Sequence, residues 1–85
     1  MPEDWEIISR VLAGDTSAFA ALVRRYQNAV LCFCRNMIRD SHEAEDLAQD
    51  VFVAAYGNLR SYDAARCKLP TWLLTIARNK CLNLI

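Results

Sequence analysis

Residues 41–56 read "SHEAEDLAQDVFVAAY". The first ten hold four carboxylates, Glu43, Glu45, Asp46 and Asp50, together with the chain's only histidine, His42. The remainder is apolar. Asp40 with Glu43 three residues on has the spacing of a capping box, with Ser41 as an alternative N-cap, so a helix is expected from here to about residue 58. On a helical period Leu47, Val51 and Ala55 form its buried face, flanked by Ala44, Ala48, Phe52 and Tyr56. Asp46, Gln49, Asp50 and Val53 then share an opposite, exposed face at i, i+3, i+4 and i+7. A helix apolar on one side and patterned on the other belongs at the centre of a helical bundle.

The neighbouring segments supply the partners. Residues 3–13 start with acidic side chains, which suit the positive end of a helix dipole, and Gly14 ends them. Trp5, Ile8, Val11 and Leu12 are their expected core stripe. Asp15 or Thr16 is expected to cap a second helix to about residue 39, with Phe19, Leu22, Val23, Tyr26, Val30, Phe33 and Met37 facing inward. Residues 59–68, "LRSYDAARCK", have no period and read as a loop. Pro70 has the character of a first helical residue, and Leu73, Ile76, Ala77 and Leu84 give the fourth helix its stripe. The expected fold class is all-α, a compact bundle of about four helices. A helix ending in "CLNLI" carries no stop signal, so the chain is expected to be part of a longer protein.

Composition agrees with a helical domain: 54% hydrophobic and 24% charged residues, with only two Gly and two Pro among 85 residues. A chain this short buries about 60–65% of its unfolded surface, so its apolar residues must be well ordered. The formal net charge is zero but unevenly placed. Residues 1–59 hold five Arg against nine Asp and Glu, and residues 60–85 hold five Lys and Arg against Asp63 alone. An acidic body with a basic end points to two partners or to one partner with two faces, nucleic acid being the natural candidate for the basic end.

No signal peptide and no apolar run near 18 residues is present, so the chain reads as cytoplasmic, without membrane insertion. Cys32, Cys34, Cys67 and Cys81 lack the spacing of a zinc site, and Cys32 and Cys34 diverge by about 200° on a helix. They read as small hydrophobes. His42 and Asp46, at i and i+4, could give a metal two ligands, but no second histidine completes the set. Neither a Gly-rich phosphate loop nor a nucleophile elbow is present. No catalytic residue, metal or cofactor is expected.

Two surfaces remain. An exposed strip of Asp46, Gln49, Asp50 and Val53 suits docking against a helix of another protein, carboxylates meeting Arg or Lys while Val53 adds contact area. At the basic end, Arg60, Tyr62, Arg66 and Lys68 in the loop precede Thr71, Trp72, Thr75, Arg78 and Asn79 on the fourth helix. Aromatic, hydroxyl, amide and cationic groups are those that hold unstacked bases and meet phosphate. The same residues also fit a core Trp72 beneath solvated cations. An interaction module with no DNA role and a thiol-based redox sensor are the competing classes.

Three stretches, "AFAALVRRYQNAV", "EAEDLAQDVFVAAYGNLRSYD" and "TWLLTIARNKCLN", together resemble region 2 of the bacterial extracytoplasmic-function (ECF) sigma factors of the sigma-70 family. The resemblance spans residues 15–83. It implies a domain that joins core RNA polymerase and opens the minus-ten promoter element, with no bond made or broken. By it, Asp46, Gln49, Asp50 and Val53 dock the clamp coiled coil of the β′ subunit. The loop near residues 61–69 and the fourth helix, with Trp72 and Asn79, hold the non-template strand of promoter DNA. An anti-sigma factor is implied as a further partner, and a helix-turn-helix for the minus-thirty-five element is absent from these residues. Three positions depart from the usual pattern. Thr75 stands where a basic residue is frequent, Lys68-Leu69-Pro70 where a Ser commonly precedes the helix, and Gly57 where a long side chain is common.

Overall fold

The helices form where the apolar residues keep a helical period, and the computed structural model describes residues 2–84 of the chain. Helix α1 spans Asp4–Leu12, α2 Phe19–Met37, α3 Ser41–Gly57 and α4 Leu69–Leu84, with single 3-10 turns at Thr16–Ala18 and Leu59–Ser61. No strand occurs among the described residues, and the all-α bundle expected from the sequence is the architecture found. Helices α2, α3 and α4 pack on one another pairwise, while α1 lies across α2 and the Leu59–Ser61 turn.

Local chemistry sets the boundaries. Gly14 has φ of 113°, and the N–H groups of Gly14 and Asp15 donate to the carbonyls of Val11 and Arg10 at 3.0 and 2.9 Å. Those paired bonds are a Schellman close, which an L side chain at Gly14 would strain. Asp40 caps α3 as its spacing predicts, accepting from the backbone N–H of His42 at 2.9 Å and of Glu43 at 3.1 Å. Replacing Asp40 with Ala is expected to cost about 1 kcal/mol, within the usual range for a lost cap. A thermal melt should then show the midpoint lowered by about 4–8 °C.

Other boundaries differ from expectation. Neither Asp15 nor Thr16 caps a long second helix. The Asp15 carboxylate is already engaged by Arg10 at 2.8 Å and Ser17 at 2.8 Å, a 3-10 turn follows, and α2 starts at Phe19. Hydrogen bonds from Ser17 and then Arg10 hold the Asp15 carboxyl below its ordinary range. Helix α2 stops at Met37 because Ile38 turns extended and buries its side chain, leaving a short link into α3. Helix α4 starts at Leu69, one residue before Pro70, whose missing N–H falls in the first turn where no partner is needed.

The core joins Ile7, Ile8 and Val11 of α1 to Leu22, Val30 and Cys34 of α2. Ala44, Ala48, Val51, Phe52 and Ala55 of α3 meet Leu69, Leu73, Ala77 and Cys81 of α4. Ala44, Ala55 and Ala77 are fully buried, and small side chains at these crossings let the helices approach closely. Three expected core residues lie outside. Trp5 is 63% exposed, and Leu12 and Leu84 are also exposed. On α1 the arc of Asp4, Ile7, Ile8 and Val11 faces inward, about 100° from Trp5 and Leu12. On α4 the last turn, with Leu82 and Leu84 exposed, runs past the packed part of the bundle. Leu47 is half-buried and Tyr56 exposed, its ring meeting Phe19 edge-on at 5.2 Å.

Candidate functional site

Helix α3 shows its patterned face to solvent. Asp46, Gln49, Asp50 and Val53 are all exposed, Val53 at 71%. Among the described residues neither Asp46 nor Asp50 has an ion-pair partner, whereas Glu45 meets Arg35 at 3.2 Å. Two free carboxylates thus flank an exposed valine on this face. Beside it, α2 and α3 enclose an open groove of about 350 Å³ with Val23, Gln27, Asn28, Leu31, Gln49 and Phe52 in its lining. Gln49 belongs to both strip and groove, so Gln27 and Asn28 widen the surface onto α2. Their polar side chains off the core stripe of α2 were the available signal, but only the crossing of α2 and α3 puts them next to Gln49.

The segment joining α3 to α4 is more ordered than its lack of period suggested. Leu59 is buried and anchors the 3-10 turn. The Asp63 carboxylate accepts from the N–H of Ala65 at 2.9 Å, and the Asp63 carbonyl from those of Arg66 and Cys67 at 3.0 and 3.3 Å. Such an Asx-type turn needs no regular element around it. The Tyr62 hydroxyl donates to the Cys67 carbonyl at 2.9 Å and so ties the two ends of this turn together. Burial raises the Tyr62 phenol's pKa, and electrostatic interactions with Cys67, Asp4 and Asp63 add to the effect.

Trp72 lies in the first turn of α4. It is half-buried against the core, its ring centroid 5.2 Å from that of Tyr62 with the planes at 47°. Thr71, Thr75, Arg78 and Asn79 lie exposed on the side of α4 away from Leu73, Ala77 and Cys81. The Thr75 hydroxyl donates to the Thr71 carbonyl at 2.9 Å, which leaves its oxygen to accept and its methyl to pack. Arg66 and Lys68 are exposed in the adjoining loop. Arg60 is exposed but placed apart, lining a groove of about 290 Å³ with Leu12, Gly14, Tyr56 and Gly57.

The thiols fall into two kinds. Cys34 and Cys81 are buried in the core, and burial, with Cys81 as neighbour, pushes the Cys34 thiol up to about 12. Cys32 is exposed and Cys67 half-buried. All four are free, and no group of three or more His, Cys, Asp or Glu side chains among the described residues is placed to hold a metal ion. His42 is exposed, its backbone N–H given to the Asp40 cap. No helix among the described residues is long and apolar enough to cross a membrane.

The family model for sigma-70 region 2 matches residues 22–85. The ECF RNA polymerase sigma factor SigW of Bacillus subtilis (strain 168) is 42% identical over 78 residues, which cover 92% of this chain and 41% of that protein. The RNA polymerase sigma-H factor of Pseudomonas aeruginosa is 38% identical over 84 residues, 95% of this chain and 42% of its own length. The chain thus spans about two fifths of these relatives. Among solved structures, an engineered region 2 of sigmaE determined by NMR in complex with GTAAAA superimposes with a TM-score of 0.87 at 36% identity. The match covers 98% of this chain and 85% of that one. A bundle of this form, with an exposed acidic strip and a basic aromatic end, belongs to the sigma-70 region 2 family, within its ECF branch.

Proposed function

We propose that this chain is the promoter-recognition domain of an alternative RNA polymerase sigma factor. The exposed strip of α3 docks the β′ clamp coiled coil of core polymerase. The loop after α3 and the exposed face of α4 then bind and melt the minus-ten element by taking up its non-template strand. The reading is carried by the likeness, at 36% identity, to a sigmaE region 2 solved with GTAAAA. Charge supports it: Tyr62 and Trp72 form a partly exposed aromatic pair, and Arg66, Lys68 and Arg78 are exposed in the same loop and helix.

Extruding a base costs a few kcal/mol of stacking and pairing. A wall that stacks the extruded base and cations that meet the flanking phosphates offset that cost. The chain acts by binding energy alone, so it is not an enzyme. In this reading it works in the cytoplasm, an anti-sigma factor competes for it, and the minus-thirty-five element is read by residues other than these 85.

The test uses Trp72 as its own reporter. Because Trp5 is exposed and would add background, the titration is made in a Trp5→Phe chain. Adding single-stranded GTAAAA should give a saturable fluorescence change. Three phosphate contacts should give a slope of about −2 for log affinity against log salt, from about −0.7 per contact on single strands. A chain that binds core polymerase yet shows no saturable change with DNA would instead be a protein-interaction module.

A further inference from the structure

The first turn of α1 is joined to the DNA-facing end through α2. Asp4 is half-buried on the inward arc of α1, and its carboxylate takes two partners from consecutive residues of α2. Arg25 Nη1 lies 2.6 Å from one oxygen, with both side chains about a quarter exposed or less, and the Tyr26 hydroxyl donates to the other. The Arg10–Asp15 pair, by contrast, lies in solvent. Partial burial is what gives such a pair geometric force, because water competes less for either charge.

Tyr26, Tyr62 and Trp72 all pack against the same core cluster, and the Tyr62 and Trp72 rings meet in a tilted pair. Burial, the Asp4 bond and the nearby Tyr62 push the Tyr26 phenol up to about 12, so it stays a hydrogen-bond donor throughout the physiological range. Helix α1 also packs on the Leu59–Ser61 turn that leads into Tyr62. The Asp4–Tyr26 bond and the Tyr62–Trp72 pair thus lie against one core cluster, and Tyr62 is tied in turn to the loop by its hydrogen bond to Cys67.

We propose that Asp4, acting through Tyr26, is a positioning residue for DNA capture: the Asp4–Arg25–Tyr26 strut holds the Tyr62–Trp72 wall and the 62–67 turn in the shape that receives a base. The inference rests on the promoter reading above and deepens it. Its physical content is pre-organisation. A wall already fixed before DNA arrives loses little conformational freedom on binding, and a loosened one must be ordered at that moment.

Asp4→Asn and Tyr26→Phe, each in the Trp5→Phe chain, should bind single-stranded GTAAAA about three- to tenfold more weakly, the loss expected for one hydrogen bond of this kind. Affinity for core polymerase and the salt slope should stay as in the parent, since neither the α3 strip nor any phosphate contact is altered. The sign is diagnostic. Asp4→Asn removes a negative charge, so general electrostatics predicts tighter DNA binding, and Asp15→Asn, at the exposed pair, supplies that baseline. Amide exchange at Arg66 and Cys67 should quicken in both variants while α3 stays protected, which separates a loosened turn from a failed fold. DNA affinity equal to or above the parent in both variants would overturn the strut. So would equal losses of DNA and polymerase binding, or exchange quickened throughout. If the parent binds polymerase but no DNA, the promoter reading itself has failed and the strut falls with it as a DNA device.

Discussion

Exchanging both Asp46 and Asp50 for Arg should weaken binding to core RNA polymerase by at least about a hundredfold. Both residues are exposed and lack an ion-pair partner within the described chain, so their loss breaks nothing internal. Surface changes of this kind usually alter stability by less than about 0.5 kcal/mol. At an interface the balance is different. A carboxylate facing a cation contributes attraction, whereas its reversal sets two cations together at a cost of several kcal/mol. Two reversals at about 1.4–3 kcal/mol each give two to four decades in affinity. The measurement is capture of core polymerase, or of a β′ clamp peptide, beside a melt showing an unchanged midpoint. Unchanged capture in both single variants would remove this face from the docking surface.

A second large effect belongs to the core. Leu22→Ala should lower stability by about 3 kcal/mol, because Leu22 is 2% exposed and α1, α3 and α4 surround its helix. A chain of 85 residues has roughly 4–13 kcal/mol in all, so this one change takes a large share. At about 4–8 °C per kcal/mol the midpoint should fall by about 12–24 °C. Leu12→Ala is the matched control. Leu12 is 39% exposed, so its truncation should cost well under half as much, although sequence periodicity ranked the two alike. Equal melting shifts for the two variants would mean that α1 does not sit as described.

Leu12 marks where the sequence stops being legible. The helices, the Gly14 close, the Asp40 cap and the exposed strip on α3 each depend on residues within a turn of one another, so local spacing reveals them. Which arc of α1 faces inward is not a local property. A tryptophan at position 5 looks like core until Asp4 is found paired with Arg25 and Tyr26, which rotates the helix the other way. Leu59 and Leu69 carry no periodic signal, lying at the ends of an aperiodic segment, yet both are buried. Cys81 takes an inward position of α4, where Leu84 had been expected to count, because the bundle ends before the helix does. The Tyr62–Trp72 pair was visible as two candidate residues but not as a contact, since the Asx turn that closes the loop carries no periodic signal.

Helix α3 joins the acidic strip to the loop that follows it as one uninterrupted rod of 17 residues, about 25 Å long. Separation and facing along such a rod are counted in residues. One extra residue between Asp46 and Val53 would turn everything beyond it by about 100°, so on the proposed function the loop would face away from the DNA strand. A whole added turn would restore the facing but displace the loop by about 5–6 Å. Residues 41–57 are thus a phased spacer. On the proposed function, many of its residues are expected to tolerate single changes while its length is not.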